Sequence, residues 1–495
     1  MVFLEVDMLA DSDLRSVQEA RTLLRAADEA QRVLAAMPVD QIDRIVGAMA
    51  AAGRKEAIRL AEMAVAETTY GKVQDKVTKN IVGTEEMYKF IGPMKVLGIL
   101  NEDRRNRIIE IGAPMGVVVG IIPCTNPTST VFYKSLISVK AGNAVVFSPH
   151  PAAKNCIIEA TRIVADAAVA AGAPEGLIAC LTMPSKEGTN ELMSNNLCSV
   201  ILATGGTGLV KAAYSSGKPA FGVGPGNVPV FIERTADIPT AVTNIITSKT
   251  FDYGTICSSE QAVVTERVSQ RLVKAEFTRN HGFFLNDGQI AAVSRVLVQP
   301  NGAINARLVG HSAHAIAEAA GVSVPDDTTV LLAELDGIGA QYPLSCEKLS
   351  PVLAFYTVED WREACDTCMK LLYFGGVGHT ISIHSNNDQI VREFGLKKPI
   401  ARLIVNAPST QGAIGVASGL PLSFTLGCGT WGGNITSDNV TATHLTNRKR
   451  IAYGLSSPAM GTGGTQNGGA GVEADRQEAD LVDDIVRRIL SEYRQ

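Results

Sequence analysis

The hydrophobic positions of this chain change their spacing near residue 115. Over residues 14–92 they recur at helical intervals in a background rich in Ala, Arg, Glu and Leu, as in DLRSVQEARTLLRAADEAQRVLAAM. That spacing predicts three or four helices. Farther along, short β-branched runs such as MGVVVGIIP, NAVVFSP and SVILATGG alternate with helical stretches. The alternation predicts β-α-β units around a parallel sheet.

A second α/β segment starts at about residue 240 and carries the runs VLLAELD, LSPVLAFYTV and RLIVNAPS. Outside both segments, residues 100–116 (LNEDRRNRIIEIGAPMG) have the pattern of two strands around a charged turn. We expect this hairpin to form a separate small sheet with GCGTWGGNITSDNVTATHLTNRK, which lies near the end of the chain.

The composition changes again at residue 456. Residues 456–477 are rich in Gly, Thr and Ser, which is typical of a flexible linker. Residues 478–495 return to helical spacing, with one apolar stripe made of Val482, Ile485, Val486, Ile489, Leu490 and Tyr493. So short a helix is marginal by itself, and we expect it to need a surface to lie on.

Composition and charge exclude several classes of protein. The chain has 495 residues, enough for two or three domains, and a net charge of -5 with no long basic run, which argues against nucleic-acid binding. Nine cysteines do not form an evident disulfide framework, so a reducing cytosol is expected. The acidic N-terminus lacks the basic region of a secretory signal, and the longest apolar run, residues 116–124, is too short to span a bilayer.

Two cysteines, Cys365 and Cys368, form a C-x-x-C motif inside a stretch with helical spacing. A second pair of ligands at suitable spacing is missing from the sequence, so we expect no metal site.

A lone cysteine, Cys257, follows a glycine-containing bend in FDYGTICSSEQAVV. A free thiol has a pKa of about 8.5, and a helix N-terminus would lower it; CSSEQ has the pattern of a helix start or of a turn start. The alternative is a small buried hydrophobic side chain. Two glycine clusters favour a ligand site: ATGGTGLVKAA follows a predicted strand and opens a helix, as at phosphate sites, and GVGPGN permits close approach of a ligand to the backbone. Each cluster could equally be a simple turn.

Four motifs in order resemble the aldehyde dehydrogenase superfamily, and within it the CoA-acylating branch most closely. They are IIPCTNPTSTVFYKSLISVKAGNAVVFSPHP, FDYGTICSSEQ, CEKLSPVLAFY and LGCGTWGGN. The resemblance extends from about residue 20 to 450. That branch includes the aldehyde half of bifunctional alcohol/aldehyde dehydrogenases and the propionaldehyde dehydrogenases of bacterial microcompartments.

The resemblance implies an α/β fold with a Rossmann-like cofactor domain, an α/β catalytic domain and a small bridging sheet that makes oligomers. The expected divisions are residues 1–235 for the N-terminal helices and NAD-binding domain, with the bridging hairpin at about 100–116; 236–425 for the catalytic domain; 426–455 for the bridging segment; 456–477 for the linker; and 478–495 for the terminal helix.

For catalysis the resemblance implies that Cys257 is the nucleophile, attacking an aldehyde to give a thiohemiacetal and then a thioester. Asn126 matches the residue whose amide, with the Cys257 backbone N–H, forms the oxyanion hole. His379, in GGVGHTISIH, is expected to assist proton transfer to or from CoA, with a structural histidine as the alternative.

The implied cofactor is NAD, with NADP not excluded, because Ser148 and His150 stand where relatives carry a lysine-containing motif for the adenosine ribose. Glu347 matches the glutamate that holds the nicotinamide ribose. The expected cofactor-binding positions are Glu347, Thr204, Gly205, Gly206, Thr207, Ser148, His150, Pro123, Thr125, Gly224, Pro225 and Gly226.

The chain departs from the hydrolytic members at Pro225, Gly226 and Asn227, where those enzymes have a glutamate that activates water. A thioester without that base awaits the thiol of coenzyme A, so an acyl-CoA is the expected product. Glu260 is a candidate substitute base, although a charged residue in the first turn of a helix is the simpler interpretation. The alternatives are a hydrolytic aldehyde dehydrogenase giving a free acid and an inactive scaffold that recruits cargo.

The expected substrates are CoA and a short aldehyde such as acetaldehyde or propionaldehyde, a substituted short aldehyde being the alternative. A homo-oligomer, either dimer or tetramer, is also expected. The linker and terminal helix resemble an encapsulation peptide, which predicts binding to the shell proteins of a bacterial microcompartment and location in its lumen. The alternative is a helix that packs on its own enzyme or on a neighbouring copy. The polar face carries acids and bases alike, which disfavours membrane binding.

Overall fold

The structure is a computed structural model that describes residues 11–455. It begins with the helices α1 (Ser12–Ala35), α2 (Val39–Lys55), α3 (Ala57–Thr68), α4 (Val73–Ile81) and α5 (Met87–Ile91). Asp11 caps α1 by accepting a hydrogen bond from the Asp13 amide, and the helix buries Ala20, Leu24 and Ala27 on one face. The predicted helical region is therefore confirmed, although this part contains more helices than the spacing indicated.

A hairpin follows the helices and consists of β1 (Gly98–Asp103) and β2 (Ile108–Pro114), as the charged turn predicts. It leads into the first parallel sheet. That sheet contains β3 (Val117–Ile122), β4 (Ala144–Pro149), β5 (Ile178–Cys180), β6 (Cys198–Thr204) and β7 (Ala220–Val223), in the order β5-β4-β3-β6-β7. The intervening helices are α6 (Pro127–Lys140), α7 (Lys154–Ala170), α8 (Lys186–Ser194) and α9 (Thr207–Ser215).

Every residue of β3 and β4 is buried, as expected for central strands of a parallel sheet covered on both faces. Their Val and Ile side chains join a core with α1, α2, α6 and α7. Because all neighbouring strands pair in parallel, the loops after β3, β4 and β6 emerge at one edge of the sheet.

The second sheet has seven strands within the described residues. They are β8 (Val228–Ile232), β9 (Glu260–Glu266), β10 (Gly282–Leu285), β11 (Val330–Glu334), β12 (Val352–Val358), β13 (Gly378–His384) and β14 (Ile400–Val405), in the order β10-β11-β12-β9-β8-β13-β14 and paired in parallel. The helices are α10 (Ile238–Thr250), α11 (Arg267–Arg279), α12 (Asp287–Leu297), α13 (Ala313–Ala319), α14 (Trp361–Gly375), α15 (Asp388–Lys397) and α16 (Ser409–Ala413).

The last strand, β15 (Thr446–Ala452), completes a three-stranded sheet in the order β1-β2-β15. The small sheet is thus confirmed, and of the predicted partner stretch only the end is a strand. Residues 102–108 and the described residues from 451 on form a small unit of their own, in which the Tyr453 amide donates to the Arg107 carbonyl at 3.0 Å.

Two sets of expectations need comment. The division at residue 235 stays a prediction; β8, which precedes it, pairs with β9 and β13 of the seven-stranded sheet. The linker at 456–477 and the helix at 478–495 lie outside the described residues. Within residues 11–455, no helix is long and apolar enough to cross a membrane.

Candidate active site

A cavity of about 520 Å³ lies at the carboxyl ends of β3, β4 and β6. The sequence-predicted residues in its wall are Pro123, Thr125, Asn126, Ser148, His150, Thr204, Gly205, Gly206, Gly224, Pro225, Cys257 and Glu347. Residues far apart in the chain therefore share one space. Thr207, Gly226 and His379 do not line it.

Cys257 lies in the turn between a 3-10 helix, Phe251–Gly254, and strand β9. Of the two interpretations of CSSEQ, the turn is confirmed at Cys257 and Ser258, and the helix start is wrong. Glu260 begins a fully buried strand, because β9 pairs with β8 on one side and β12 on the other. Burial raises the pKa of the Cys257 thiol to about 12; the Glu347 carboxylate acts in the same direction and the Arg402 guanidinium opposes it. The Cys257 sulfur of the free protein is therefore a neutral thiol at physiological pH. Because a strand and not a helix follows it, no helix N-terminus lowers its pKa.

Asn126 caps the amino end of α6, directly after the loop that leaves β3. One of its amide N–H groups donates to the Thr125 hydroxyl at 3.1 Å, and its buried Oδ1 has no hydrogen-bond partner among residues 11–455. The second N–H of the amide remains for another acceptor, and the cavity that Asn126 shares with Cys257 is where such an acceptor would lie.

Among the residues that the structure describes, Glu347 supplies the one carboxylate in the cavity wall. Its Oε1 accepts a hydrogen bond from the Gly226 amide at 3.0 Å. Burial raises the pKa of Glu347 to about 7, although that hydrogen bond and the ammonium groups of Lys249 and Lys348 act in the opposite direction. Glu347 therefore changes charge near neutral pH within reach of a cavity ligand.

His379 is fully buried at the start of β13, and its Nδ1 hydrogen-bonds the Thr380 hydroxyl at 2.9 Å. Its Nε2 has no partner among the described residues. Burial, and then the charge of Arg402, lower the pKa of His379 to about 3, so the ring is neutral. A methyl group added at Gly226 would lie 2.3 Å from the Cys257 carbonyl oxygen and 3.1 Å from the His379 ring, which places this histidine close to the Cys257 backbone.

The turn between β6 and α9 fits a phosphate-bearing ligand. Gly206 caps α9, so the first free amides of that helix lie next to the cavity. A Cβ at Gly206 or Gly224 would meet no atom within 4 Å, and the buried Thr204 hydroxyl has no partner among the described residues. Backbone approach and an available hydroxyl are what a cofactor pyrophosphate needs.

The two positions expected at the adenosine ribose are already engaged within the protein. The Ser148 hydroxyl lies 2.7 Å from that of Thr189, and His150 Nδ1 accepts a hydrogen bond from the Ala152 amide at 3.1 Å. Burial lowers the pKa of His150, so its ring is neutral at physiological pH.

A smaller cavity of about 90 Å³ lies next to the large one and shares Ile256, Ile414 and Phe424 with it. Its other wall residues are Thr78, Lys79, Val82, Phe251, Thr410, Gln411 and Val416. The shared residues are all apolar, so the wall between the two spaces is hydrophobic.

Several buried polar groups lie around Cys257, of which the sequence reasoning singled out Glu260 and missed Arg402. Arg402 donates to the carbonyl of His379 at 3.2 Å and to the Asn439 side chain at 3.1 Å. Glu260 accepts hydrogen bonds from the Ser248 hydroxyl and the Ser409 amide, and burial raises its pKa to about 7. It is not in the cavity wall. Among residues 11–455, no group of three or more His, Cys, Asp or Glu side chains could hold a metal ion.

Comparison with known proteins places the geometry in context. Residues 5–281 match the model of the aldehyde dehydrogenase family. The bifunctional aldehyde-alcohol dehydrogenase AdhE of Escherichia coli (strain K12) is 46% identical over 442 residues, which make up 88% of this chain and 50% of AdhE. The chain thus spans about half the length of such curated relatives.

Two solved structures are similar over most of the chain. An acetylating aldehyde dehydrogenase from Geobacillus thermoglucosidasius has a TM-score of 0.90 and 51% identity, covering 92% of this chain and 100% of that one. A propionaldehyde dehydrogenase from the Clostridium phytofermentans fucose utilisation bacterial microcompartment has a TM-score of 0.80 and 28% identity, covering 88% of this chain and 97% of that one.

Proposed function

The chain belongs to the aldehyde dehydrogenase family, and on that premise we propose that it oxidises a short aldehyde with NAD and CoA to an acyl-CoA. The family resemblance and the α/β fold expected from the sequence are thereby confirmed. One observation carries the proposal: Cys257, Asn126 and the Thr204–Gly206 turn line a single cavity.

In the first step the Cys257 sulfur attacks the aldehyde carbon, forming a C–S bond and turning the carbonyl oxygen into an alkoxide. The free N–H of the Asn126 amide and the Cys257 backbone N–H would donate to that alkoxide. Donors already in place stabilise charge where it develops, often by about 3 kcal/mol each. Because the thiol is neutral in the free protein, its proton passes to solvent as the C–S bond forms, and the negative charge that remains is that of the alkoxide.

A bound nicotinamide supplies the hydride acceptor that turns the thiohemiacetal into a thioester on Cys257. Glu347, in the cavity wall, would hold the nicotinamide ribose, and the amides at the start of α9 would hold the pyrophosphate. We propose NAD on the family resemblance. The cavity wall itself contains no Lys or Arg among the described residues, but Lys186 lines a neighbouring pocket that shares Pro149 and Thr189 with it and offers a cation to the extra phosphate of NADP. Comparing KM for the two cofactors tests this choice.

The thioester then waits for a nucleophile. Residues 225–227 bring no carboxylate to the site for activating water, so the thiol of CoA is the preferred acceptor and acyl-CoA leaves. The Nε2 of His379 is unpaired within the described residues, but with a pKa of about 3 the buried ring is too weak a base to take the CoA proton. A shift that brings Nε2 to the CoA thiol would also have to relieve the burial and raise that pKa. The place of His379 behind Gly226, outside the cavity wall, requires such a shift.

The small cavity supports a short aldehyde. Its volume of about 90 Å³ leaves room for a few carbon atoms beyond the reacting carbonyl, and Ile256, Ile414 and Phe424 form the apolar wall that it shares with the large cavity. A panel of linear aldehydes from two to eight carbons, at saturating CoA and NAD, should therefore show kcat/KM falling steeply after the first members.

The main test is the identity of the product. Mass spectrometry of reactions with and without CoA should find acyl-CoA in the first and almost no free acid in the second. Glu347→Gln is the informative variant, because Glu347 is the carboxylate in the cavity wall. Free acid formed as fast without CoA, and lost in Glu347→Gln, would replace our proposal with a hydrolytic enzyme. Absence of any aldehyde-dependent NADH would favour the inactive scaffold.

We further propose that the enzyme is a homo-oligomer housed in a bacterial microcompartment. The support is the relative from such a compartment and the apolar stripe in the sequence of residues 478–495, which lie outside the described structure. Light scattering of the purified protein measures its oligomeric state, and co-sedimentation with purified shell proteins tests the second part.

A further inference from the structure

Three buried charged side chains lie beside the cavity and take no part in the proposed bond-making steps, although one of them, Lys79, also lies in the wall of the small cavity. They are Lys76 and Lys79 of α4, and Asp252, which precedes Cys257 by five positions; none is more than 2% exposed. Asp252 Oδ2 accepts hydrogen bonds from Lys76 at 3.0 Å, from Lys79 and, at 2.7 Å, from the Thr255 hydroxyl. We call these three charged residues the clamp.

Each lysine of the clamp also bonds to one of the two catalytic loops. Lys76 donates to the Thr125 carbonyl at 3.1 Å, one residue before Asn126. Lys79 donates to the Thr255 hydroxyl at 3.2 Å and to the Thr255 carbonyl at 3.4 Å, two residues before Cys257. One carboxylate therefore links the loop of the oxyanion donor to the loop of the nucleophile.

The backbone around Asp252 is held in a single arrangement. Asp252 and Tyr253 have left-handed φ values of 49° and 50°, which non-glycine residues adopt only under strong constraint. The Asp252 amide donates to Asp75 at 2.7 Å, and Asp252 Oδ1 accepts from the Lys72 amide at 2.8 Å. A Cβ on Gly71 would lie 1.8 Å from that oxygen, so the start of α4 fits against Asp252 only with glycine there.

The charges of the clamp do not balance by themselves, since two ammonium groups face the Asp252 carboxylate. The nearby Asp75 carboxylate also acts on Lys79, but it is paired with Lys72 at 2.9 Å, so one positive charge remains in excess. Buried ion pairs are costly, and apolar side chains of similar size often stabilise a fold as well or better. Burial lowers the pKa of Lys79 to about 8 even with Asp252 beside it, whereas the lysines hold the pKa of Asp252 below its ordinary value despite burial. An arrangement this costly is better explained by a need for fixed loop geometry than by stability.

We propose that Lys76, Lys79 and Asp252 are positioning residues that fix the separation between the Asn126 amide and the Cys257 sulfur. The proposal rests on the proposed function, because that function gives those two groups their roles. The hydrogen bonds to Thr125 and Thr255 hold the two loops at this separation. The excess positive charge would also help to stabilise a nearby alkoxide.

The test compares Lys76→Met and Lys79→Met with Lys140→Met. Methionine keeps the length of the side chain and removes its charge and donors. Lys140 is a matched control: it is also buried, and it donates to one carboxylate, Asp43 at 2.6 Å, and one carbonyl, Gly92 at 3.1 Å. It lies at the far end of α6 from Asn126, away from the cavity wall.

Three measurements are made on each variant: kcat and KM for aldehyde with NAD and CoA, the rate of alkylation of Cys257 by iodoacetamide, and the melting temperature. Displacement of iodide builds no alkoxide, so alkylation reports the sulfur alone. For Lys76→Met we expect kcat to fall about 100-fold with KM for NAD and the alkylation rate unchanged. Lys79→Met should change both kcat and the rate of alkylation of Cys257, whereas Lys140→Met should change neither.

A conservative variant separates positioning from folding. Lys76→Gln keeps a neutral donor for the Thr125 carbonyl and should recover about tenfold of the kcat lost in Lys76→Met. If Lys76→Met does not fold, Lys76→Gln is compared with Lys140→Gln by the same criteria. Equal losses of kcat in the Lys76 and Lys140 variants, or no recovery with Gln, would overturn the proposal and leave the clamp as a structural ion cluster.

The two proposals fail in different ways. If the wild-type protein gives no NADH with any aldehyde, the proposed function fails, and the clamp is judged on alkylation alone. In that case equal alkylation rates for Lys79→Met and Lys140→Met would overturn the clamp, and a change confined to Lys79→Met would support it.

Discussion

At the scale of single residues, the state of the Cys257 proton governs the chemistry. Its pKa, raised to about 12 by burial and by Glu347, lies above that of a free thiol, so the neutral form dominates at physiological pH. The thiolate is the nucleophile, and its population rises about tenfold per pH unit below the pKa. Alkylation of the free protein should therefore accelerate steadily as pH increases through the alkaline range.

Glu347→Gln should make that thiol more reactive. Above its own pKa of about 7 the carboxylate is negative and disfavours a second negative charge on sulfur, so its removal lowers the pKa of Cys257. We expect faster alkylation of the variant at pH 8–9 and a higher KM for NAD. Glu260→Gln is the control, because Glu260 is a buried carboxyl group that also has a pKa of about 7 and lies outside the cavity wall. Identical pH profiles for Glu347→Gln and wild type would contradict this account.

Two cysteines line the cavity, and they make a matched pair for testing the nucleophile. Cys257→Ala should abolish aldehyde-dependent NADH production, because covalent catalysis has no substitute group there. Cys124→Ala should keep turnover, since Cys124 has no proposed role. Peptide mass spectrometry of wild type trapped without CoA should find the acyl group on Cys257. An adduct on Cys124 instead would move the nucleophile to the other loop.

At the scale of elements, the loop after β7 controls how closely β9 and β13 approach the site. A Gly226→Ala methyl would lie 2.3 Å from the Cys257 carbonyl oxygen and 3.1 Å from the His379 ring. The backbone must move, so we expect kcat to fall about 100-fold and the free energy of unfolding to fall by about 1–3 kcal/mol.

The control for this element is Gly224→Ala, two residues earlier in the same loop. Its Cβ meets no atom within 4 Å, so its melting temperature should match that of wild type, whatever happens to cofactor binding. Thermal unfolding and steady-state kinetics of the two variants test whether crowding at Gly226 lowers stability and kcat. Equal melting temperatures for Gly226→Ala and wild type would show that the loop tolerates the methyl and that the crowding we describe has little effect.

The elements also show what could be predicted from the sequence. Cys257, Asn126 and Thr204 stand in short contiguous motifs, so the resemblance of those motifs to a known family was enough to single them out. The clamp could not be found this way. Lys76 and Asp252 are 176 residues apart, and α4 looks like an ordinary helix with lysines on its polar side until its packing is known.

The helix start expected at CSSEQ was wrong for the same reason, namely that long-range packing decides the structure. Short polar stretches carry little intrinsic preference, and the strand β9 is imposed by pairing with β8 and β12. The sheet orders were equally out of reach, because β3 and β8 lie inside their sheets and their neighbours come from distant parts of the chain. Local patterns thus predicted the elements, and long-range pairing decided their partners and the burial of charge.

At the scale of the whole molecule, the described residues already contain everything the proposed chemistry needs. Both parallel sheets, the two cavities and the clamp lie between residues 11 and 455. The segment after residue 455 is therefore expected to serve location rather than catalysis. Burial of the six apolar side chains in its sequence would stabilise a helix by about 1.5 kcal/mol each at most. Ordering each residue of the segment costs about 1 kcal/mol or more, so the segment needs a partner surface to become ordered.

A chain ending at Leu455 should consequently keep the wild-type kcat and KM while losing co-sedimentation with shell proteins. The helix predicted for residues 478–495 would be stable only on a partner surface. Its removal should therefore abolish binding to the shell proteins and leave the fold of the enzyme intact. The matched variant keeps the full length and replaces Ile485 and Ile489 of the stripe with Asp; it should lose co-sedimentation to the same extent. Loss of turnover on truncation, with the Asp variant fully active, would instead place the segment against its own enzyme, because the deletion would then remove support that the site requires.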